Sequence, residues 1–278
     1  MIARRAGAGA GWLLALLTVT LHADTLRVAT FNLENYGMAN RMSESGFRLN
    51  YPKSEAQKNA VRQVIRGLEA DLLIVQEMGP QPFLDELCRD LAAEGIHWAR
   101  AALAEAEDEA RHLALFSRRP LVDLRIHRDL EFAYLGGRER VKRGMIEATV
   151  RAEAGPVTLF GVHLKSRLTE RPDDPAASVR RAAEATAVRE RIRSRVRSGE
   201  VGRFLLLGDC NDGRTSRTLA HLQKRGRTEI ARLLPAADSR GEVWTHLFRR
   251  EETYSRVDHV LVSPDLLPQV LGRQARIF

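Results

Sequence analysis

Five polar residues in this chain each close a short apolar run. Asn32 follows Val28-Ala29-Thr30-Phe31, and Glu77 follows Leu72-Leu73-Ile74-Val75-Gln76. His163 follows Leu159-Phe160-Gly161-Val162, while Asp209 and Asn211 follow Phe204-Leu205-Leu206-Leu207-Gly208. An acid, amide or imidazole at the end of a buried strand is delivered to the edge of a sheet, where ligands sit. One Glu, one Asp, two Asn and one His suit a hard divalent cation and a phosphate. Asp209 and Asn211 are two apart on an extended segment, so they point to the same side and together can orient a water and hold a phosphate oxygen. Each residue alone has an ordinary alternative: a solvated acid, a capped loop, a core histidine or a plain turn. Their joint occurrence argues for one composite site.

The elements that must position them are legible as patterns. Glu34 to Lys53 reads as a polar loop after the first strand. Ser54 and Gln57 form a capping box, and Val61, Val64, Ile65 and Leu68 share one helical face. Pro82 opens a second helix with Leu84, Leu87 and Leu91 as its buried stripe. Ala101 to Ala110 reads as a solvated loop or surface helix, followed by a strand over His112–Phe116. Met145–Val150 and Val157–Leu164 flank an Ala154-Gly155-Pro156 turn and form an antiparallel hairpin. Asp174-Pro175 suits a helix start, with Val188, Ile192 and Val196 buried and the arginines outside. Hairpins mixed with crossovers indicate mixed sheets.

Composition bounds the rest. At 278 residues and 44% hydrophobic, the chain is long enough for one large α/β domain. Arg4 and Arg5, the apolar segment Trp12–Leu21 and the exit His22-Ala23 read as a secretory signal cut after Ala23. The apolar segment is too short for a comfortable membrane span, which leaves an export signal or an uncleaved anchor. The expected domain is 24–278, exported to the periplasm or beyond, and monomeric. A net charge of +8 favours polyanionic partners such as nucleic acid, or reflects an Arg- and Ala-rich composition alone. Cys88 and Cys210 provide neither a disulfide framework nor a zinc pattern. Lys142, Arg143, Lys165, Arg167 and Ser117-Arg118 flank the run ends, as phosphate contacts or as solvated charges.

Five motifs occur in order: Ala29-Thr30-Phe31-Asn32, Val75-Gln76-Glu77, Gly161-Val162-His163-Leu164, Leu207-Gly208-Asp209-Cys210-Asn211 and Ser255-Arg256-Val257-Asp258. Together, from Leu26 to Pro264, they resemble the endonuclease/exonuclease/phosphatase superfamily, which includes secreted deoxyribonucleases, apurinic endonucleases and sphingomyelinases. The family pattern usually has Phe where Cys210 stands. The resemblance implies an α/β, α+β-type four-layer sandwich, with two mixed β-sheets face to face and helices outside. It implies that Glu77 binds Mg²⁺ (or Mn²⁺ or Ca²⁺) with Asn32 beside it. Asp209 would activate water, Asn211 and His163 would bond the phosphate, and Asp258 would support a catalytic histidine.

That histidine normally lies in a late Ser-Asp-His, which is not found here, and the domain is expected to lack its C-terminal strand. Asp258-His259 does not replace it, because neighbouring strand residues point to opposite faces. The expected function is an exported Mg²⁺-dependent phosphodiester hydrolase, endonuclease-like and acting on nucleic acid by in-line attack of water. The alternatives are a phosphatase or lipid phosphodiesterase on the same scaffold, or a non-catalytic phosphate-binding module.

Overall fold

A computed structural model describes residues 25–249 and 251–278. The expected export segment, residues 1–23, lies outside the described residues. Strands β1 (Val28–Tyr36), β2 (Leu72–Met78), β3 (Arg100–Ala104) and β4 (His112–Ser117) form a four-stranded sheet in the order β1-β2-β4-β3. A six-stranded sheet contains β5 (Leu121–His127), β6 (Met145–Ala152), β7 (Gly155–His163), β8 (Arg203–Asp209), β9 (Arg232–Leu233) and β10 (Asp258–Val262). Its order is β9-β10-β8-β7-β6-β5. β1 runs parallel to β2, and β7 parallel to β8, while the other neighbours are antiparallel. Both sheets are therefore mixed.

Alternation along each strand divides the core. Leu72, Ile74, Leu113 and Leu115 of the first sheet meet Ile146, Ala148, Leu159 and Leu207 of the second. On the outer face of the first sheet, Leu73, Val75 and Phe116 pack under α1 (Glu55–Leu68) and α2 (Gln81–Ala93). On the other side Phe160, Val162 and Leu206 pack under α3 (Ser178–Arg197) and α4 (Arg217–Gln223). This is the four-layer sandwich. The central strands read as unbroken apolar runs because both of their faces are covered.

Several local expectations are corrected. The stretch 34–53 is not a loop: β1 continues to Tyr36, and Ala39–Ser43 pairs with Gly46–Tyr51 as a projecting hairpin. Arg100–Ala104 is an edge strand whose small side chains hide the alternation that would mark it. α3 starts at Ser178, and Asp174 caps it from upstream by accepting the N–H groups of Val179 and Arg180 at 3.2 and 3.0 Å. Its arginines do not simply cover the outside. Arg180, Arg181, Arg189 and Arg195 are all buried, whereas Val196 is exposed.

Arg195 is held by Glu147 of β6, which accepts from its Nε and Nη2 at 3.0 and 2.8 Å and lies 2.6 Å from Nε2 of His127. Burial opposes the Glu147 charge, but the hydrogen bonds from His127 and Arg195 outweigh it and hold the carboxyl below its ordinary 4.5. A depressed folded value gives stability that is whole above about pH 4.5 and lost as pH falls through the folded value. Glu147→Ala strands a buried guanidinium and should cost about 3–5 kcal/mol, read as a lower midpoint of thermal unfolding at neutral pH. The gap between wild type and variant should close as the pH is lowered below about 4.5.

Candidate active site

All five run-ending residues sit at one end of the sandwich. Parallel pairing puts the carboxyl ends of β1 and β2 together, and likewise those of β7 and β8. β10 runs antiparallel to β8, so its first residue, Asp258, lies directly across from Asp209. The two sheets meet at this edge: Nδ2 of Asn32 in the first donates to Oδ2 of Asp209 in the second at 2.9 Å. Nε2 of His163 lies 3.9 Å from Oε1 of Glu77 and 3.8 Å from Oδ2 of Asp209.

The backbone is bent to achieve this. The pairing of β1 with β2 shifts between Asn32 and Tyr36, where Glu34 and Asn35 are left-handed at φ 52° and 57°. The bulge lets the Asn35 N–H donate to Oε2 of Glu77 at 2.8 Å, and Glu77 is itself left-handed at φ 60°. Such conformations cost non-glycine residues on the order of 1–3 kcal/mol each and persist only where packing over-determines them. Gly208 is required for a related reason. Its φ is 141°, and a Cβ there would lie 2.0 Å from the Val162 carbonyl oxygen.

Asp209 is 5% exposed and fully oriented. Its Oδ1 accepts the Asn211 N–H at 2.7 Å, and its Oδ2 accepts from Asn32. Burial, and then the charge of Asp258, push its carboxyl up to about 8, against the hydrogen bonds that favour the anion. Burial also raises Asp258, whose Oδ1 is enclosed with no partner. Thr245, which the sequence reading missed, receives the N–H groups of Val257 and Asp258 on its Oγ1 at 3.1 and 3.2 Å. His163 is 2% exposed. Burial, followed by the positive charges of Arg143, Arg111 and Lys165, holds it well below 6.5, so the ring is neutral at pH 7. Its Nδ1 is enclosed without a partner.

Asn211 donates from Nδ2 to the Leu164 carbonyl at 3.0 Å. An amide carries two N–H bonds, so one remains for a ligand. Asn32 is largely committed: its Oδ1 accepts the Glu34 N–H at 2.9 Å while its Nδ2 holds Asp209. It orients the carboxylate, and Glu77 is the better-placed cation ligand. His259 is buried, with Nε2 donating to the Asp212 carbonyl at 2.8 Å, on the face away from Asp209. The flanking cations divide by register. Ser117-Arg118 lies at the opposite end of the first sheet, because Ser117 pairs with Leu72, and Arg118 stacks on Trp98. Arg111 precedes His112, which pairs with Met78, so it belongs to the site end. No apolar run leads to Arg111, so no local pattern marks it.

Among the described residues, no three His, Cys, Asp or Glu converge as a ready-made metal cage. A hard cation nevertheless fits. Glu77, Asp209 and Asp258 concentrate carboxylate oxygen at one edge, Asp258 retains an unpartnered oxygen, and no thiolate takes part. Mg²⁺ characteristically takes one or two carboxylates and completes its shell with water and phosphate oxygens.

A model of the Endonuclease/Exonuclease/phosphatase family matches residues 29–276. Among curated proteins, none matches the sequence. Sphingomyelinase C from Streptomyces griseocarneus is similar in structure, at 15% identity over 90% of this chain and 85% of that one, with a TM-score of 0.56. A mannosyl-6-phosphatase from Bacteroides thetaiotaomicron VPI-5482 is 16% identical over 86% of each chain, with a TM-score of 0.57. A mutant beta toxin from Staphylococcus aureus with bound magnesium ions is 12% identical over 75% of this chain and 76% of that one, with a TM-score of 0.51. At these identities the likeness establishes the fold.

Gly208→Ala should displace the Asp209 edge or unfold it, since no rotamer relieves a backbone clash. The expected loss is at least about 2 kcal/mol in chemical denaturation. An alanine variant with wild-type stability would show that the left-handed turn is not needed.

Proposed function

Because this chain belongs to the Endonuclease/Exonuclease/phosphatase family, we propose that it is a divalent-metal-dependent phosphodiester hydrolase acting on nucleic acid. The observation that carries this reading is the meeting of Glu77, His163 and Asp209 at one edge, with Asn32 bridging the two sheets. Arg111 and Lys165 near His163 support a polyanionic substrate, as does the net charge of +8, while Arg143 between them is buried against Asp108 at 2.9 Å. Export to the periplasm or medium, read from residues 1–23, is part of the same proposal.

Asp209 is poised as a base. Asn32 and the Asn211 N–H fix its two oxygens for an attacking water, and a cation held at Glu77 would offset the burial that favours the protonated acid. The neutral His163 and the remaining N–H of Asn211 can hydrogen-bond a phosphate without adding a positive charge that would need removal. Glu77 and, through its remaining lone pair, Asn32 would hold Mg²⁺, which when bound supplies Lewis-acid stabilisation of the phosphate. Water attacks phosphorus in line, the bond to the leaving oxygen breaks, and the departing alkoxide takes up a proton. The products are a phosphomonoester and an alcohol.

A lipid phosphodiester is the second reading, favoured by one observation. The hairpin that follows β1 exposes Met42, Phe47 and Leu49, each more than 60% accessible, and Met42 sits directly across from Phe47. Trp98 packs on Phe116 and Trp244 on Tyr254. Among the described residues, no helix is long and apolar enough to cross a membrane.

The test compares release of acid-soluble nucleotides from plasmid DNA and RNA with release of headgroup from sphingomyelin vesicles, with Mg²⁺ and with chelator. Nucleotide release that requires Mg²⁺ is expected. Asp209→Asn should lower the rate by about 10²–10⁴-fold with little change in unfolding temperature. Glu77→Gln should be rescued partly by raised Mg²⁺. Cleavage undiminished by chelator would falsify the metal role, and headgroup release alone would select the lipid reading.

A further inference from the structure

We propose that Arg181 is a positioning residue for this site, holding the segment after His163 and the segment after Asp209 at a fixed separation. The proposal deepens the reading above and rests on it. Arg181 lies in the first turn of α3 and is 2% exposed. Its guanidinium reaches off the helix in two directions. Nη1 donates to the carbonyls of Lys165 and Ala176 at 3.0 and 3.2 Å, and Nε donates to Oδ2 of Asp212 at 3.2 Å. Lys165 follows His163 by two residues, and Asp212 directly follows Asn211.

Asp212 is braced from every side. Thr218 Oγ1 donates to the same carboxylate oxygen at 2.7 Å, and His259 donates to the Asp212 carbonyl. Asn211 stands between that brace and Asp209, in a left-handed conformation at φ 52° that asparagine adopts more readily than most residues. Its side chain spans back to Leu164, and its N–H fixes Asp209. Release of Asp212 therefore frees Asn211, and with it the bond that orients the base. A rigid fork is needed here, because a lysine ammonium presents a point charge on a flexible stem. The same helix supplies a control. Arg195 is also buried but lies about 21 Å further along the axis, and it pairs with Glu147 and Glu200 instead of any residue at the site.

The experiment compares Arg181→Met with Arg195→Met, using bis(p-nitrophenyl) phosphate with Mg²⁺ well below both unfolding midpoints. Nitrogen NMR of the His163 ring is recorded for each variant. Both substitutions should lower the unfolding temperature. Only Arg181→Met should lower kcat, by about 10²-fold with KM within about twofold, and only it should move the His163 signals. Arg181→Lys should recover unfolding temperature more than kcat, and it carries both readouts if the methionine variant fails to fold. Equal kcat losses at the two positions, or unchanged kcat and ring signals in Arg181→Met, overturn the proposal. A wild type that cleaves no phosphodiester sinks the functional reading instead, and the ring signals then decide the positioning role alone.

Discussion

Burial of like-charged carboxylates against one another governs this molecule. Asp209 and Asp258 face each other across adjoining strands, and Glu77 approaches from the other sheet. Two unit negative charges withdrawn from water cannot both ionise freely. The fold answers with neutral donors to Asp209: the Asn32 amide and the Asn211 N–H. These donors fix geometry without cancelling charge. What remains is an edge where carboxylate oxygens crowd together and their protonated forms are favoured.

That edge exists only because two sheets end at the same level. Each sheet contributes a parallel pair whose carboxyl ends carry the polar residues, and face-to-face packing of Ile74 against Gly161 brings the pairs together. A Cβ on Gly161 would lie 2.6 Å from an Ile74 methyl group, so the glycine sets how closely the sheets approach. The left-handed residues Glu34, Asn35 and Glu77 then turn the chain at the top of the first sheet. The unstrained apolar core beneath stabilises the molecule enough to tolerate them.

Arginine is used in two distinct ways. Arg111 near the site is exposed and pairs with Asp108 at 3.5 Å. On α3, Arg180, Arg181, Arg189 and Arg195 are buried; the forks of Arg181 and Arg189 satisfy the Lys165 and Lys224 carbonyls and that of Arg195 satisfies Glu147 of β6. Part of the basic composition is thus internal structure, and only the remainder is available to attract a polyanion.

Asn32, Glu77, His163, Asp209 and Asn211 were legible in the sequence because each closes an apolar run, and a strand buried on both faces must release its first polar residue at the sheet edge. The capping box of α1 was legible locally, whereas the four layers were expected from the family resemblance and are borne out by the two packed sheets with helices outside. Only the tertiary structure decided that Asp258 opposes Asp209, that Arg111 joins the site while Ser117-Arg118 lies at the far end, and that Arg181 turns inward. Those facts depend on strand register and on side chains reaching across elements. Neither is encoded in the periodicity of a single segment. The hairpin after β1 and the edge strand β3 escaped notice because backbone pairing defines them, and their side chains show no alternation to read.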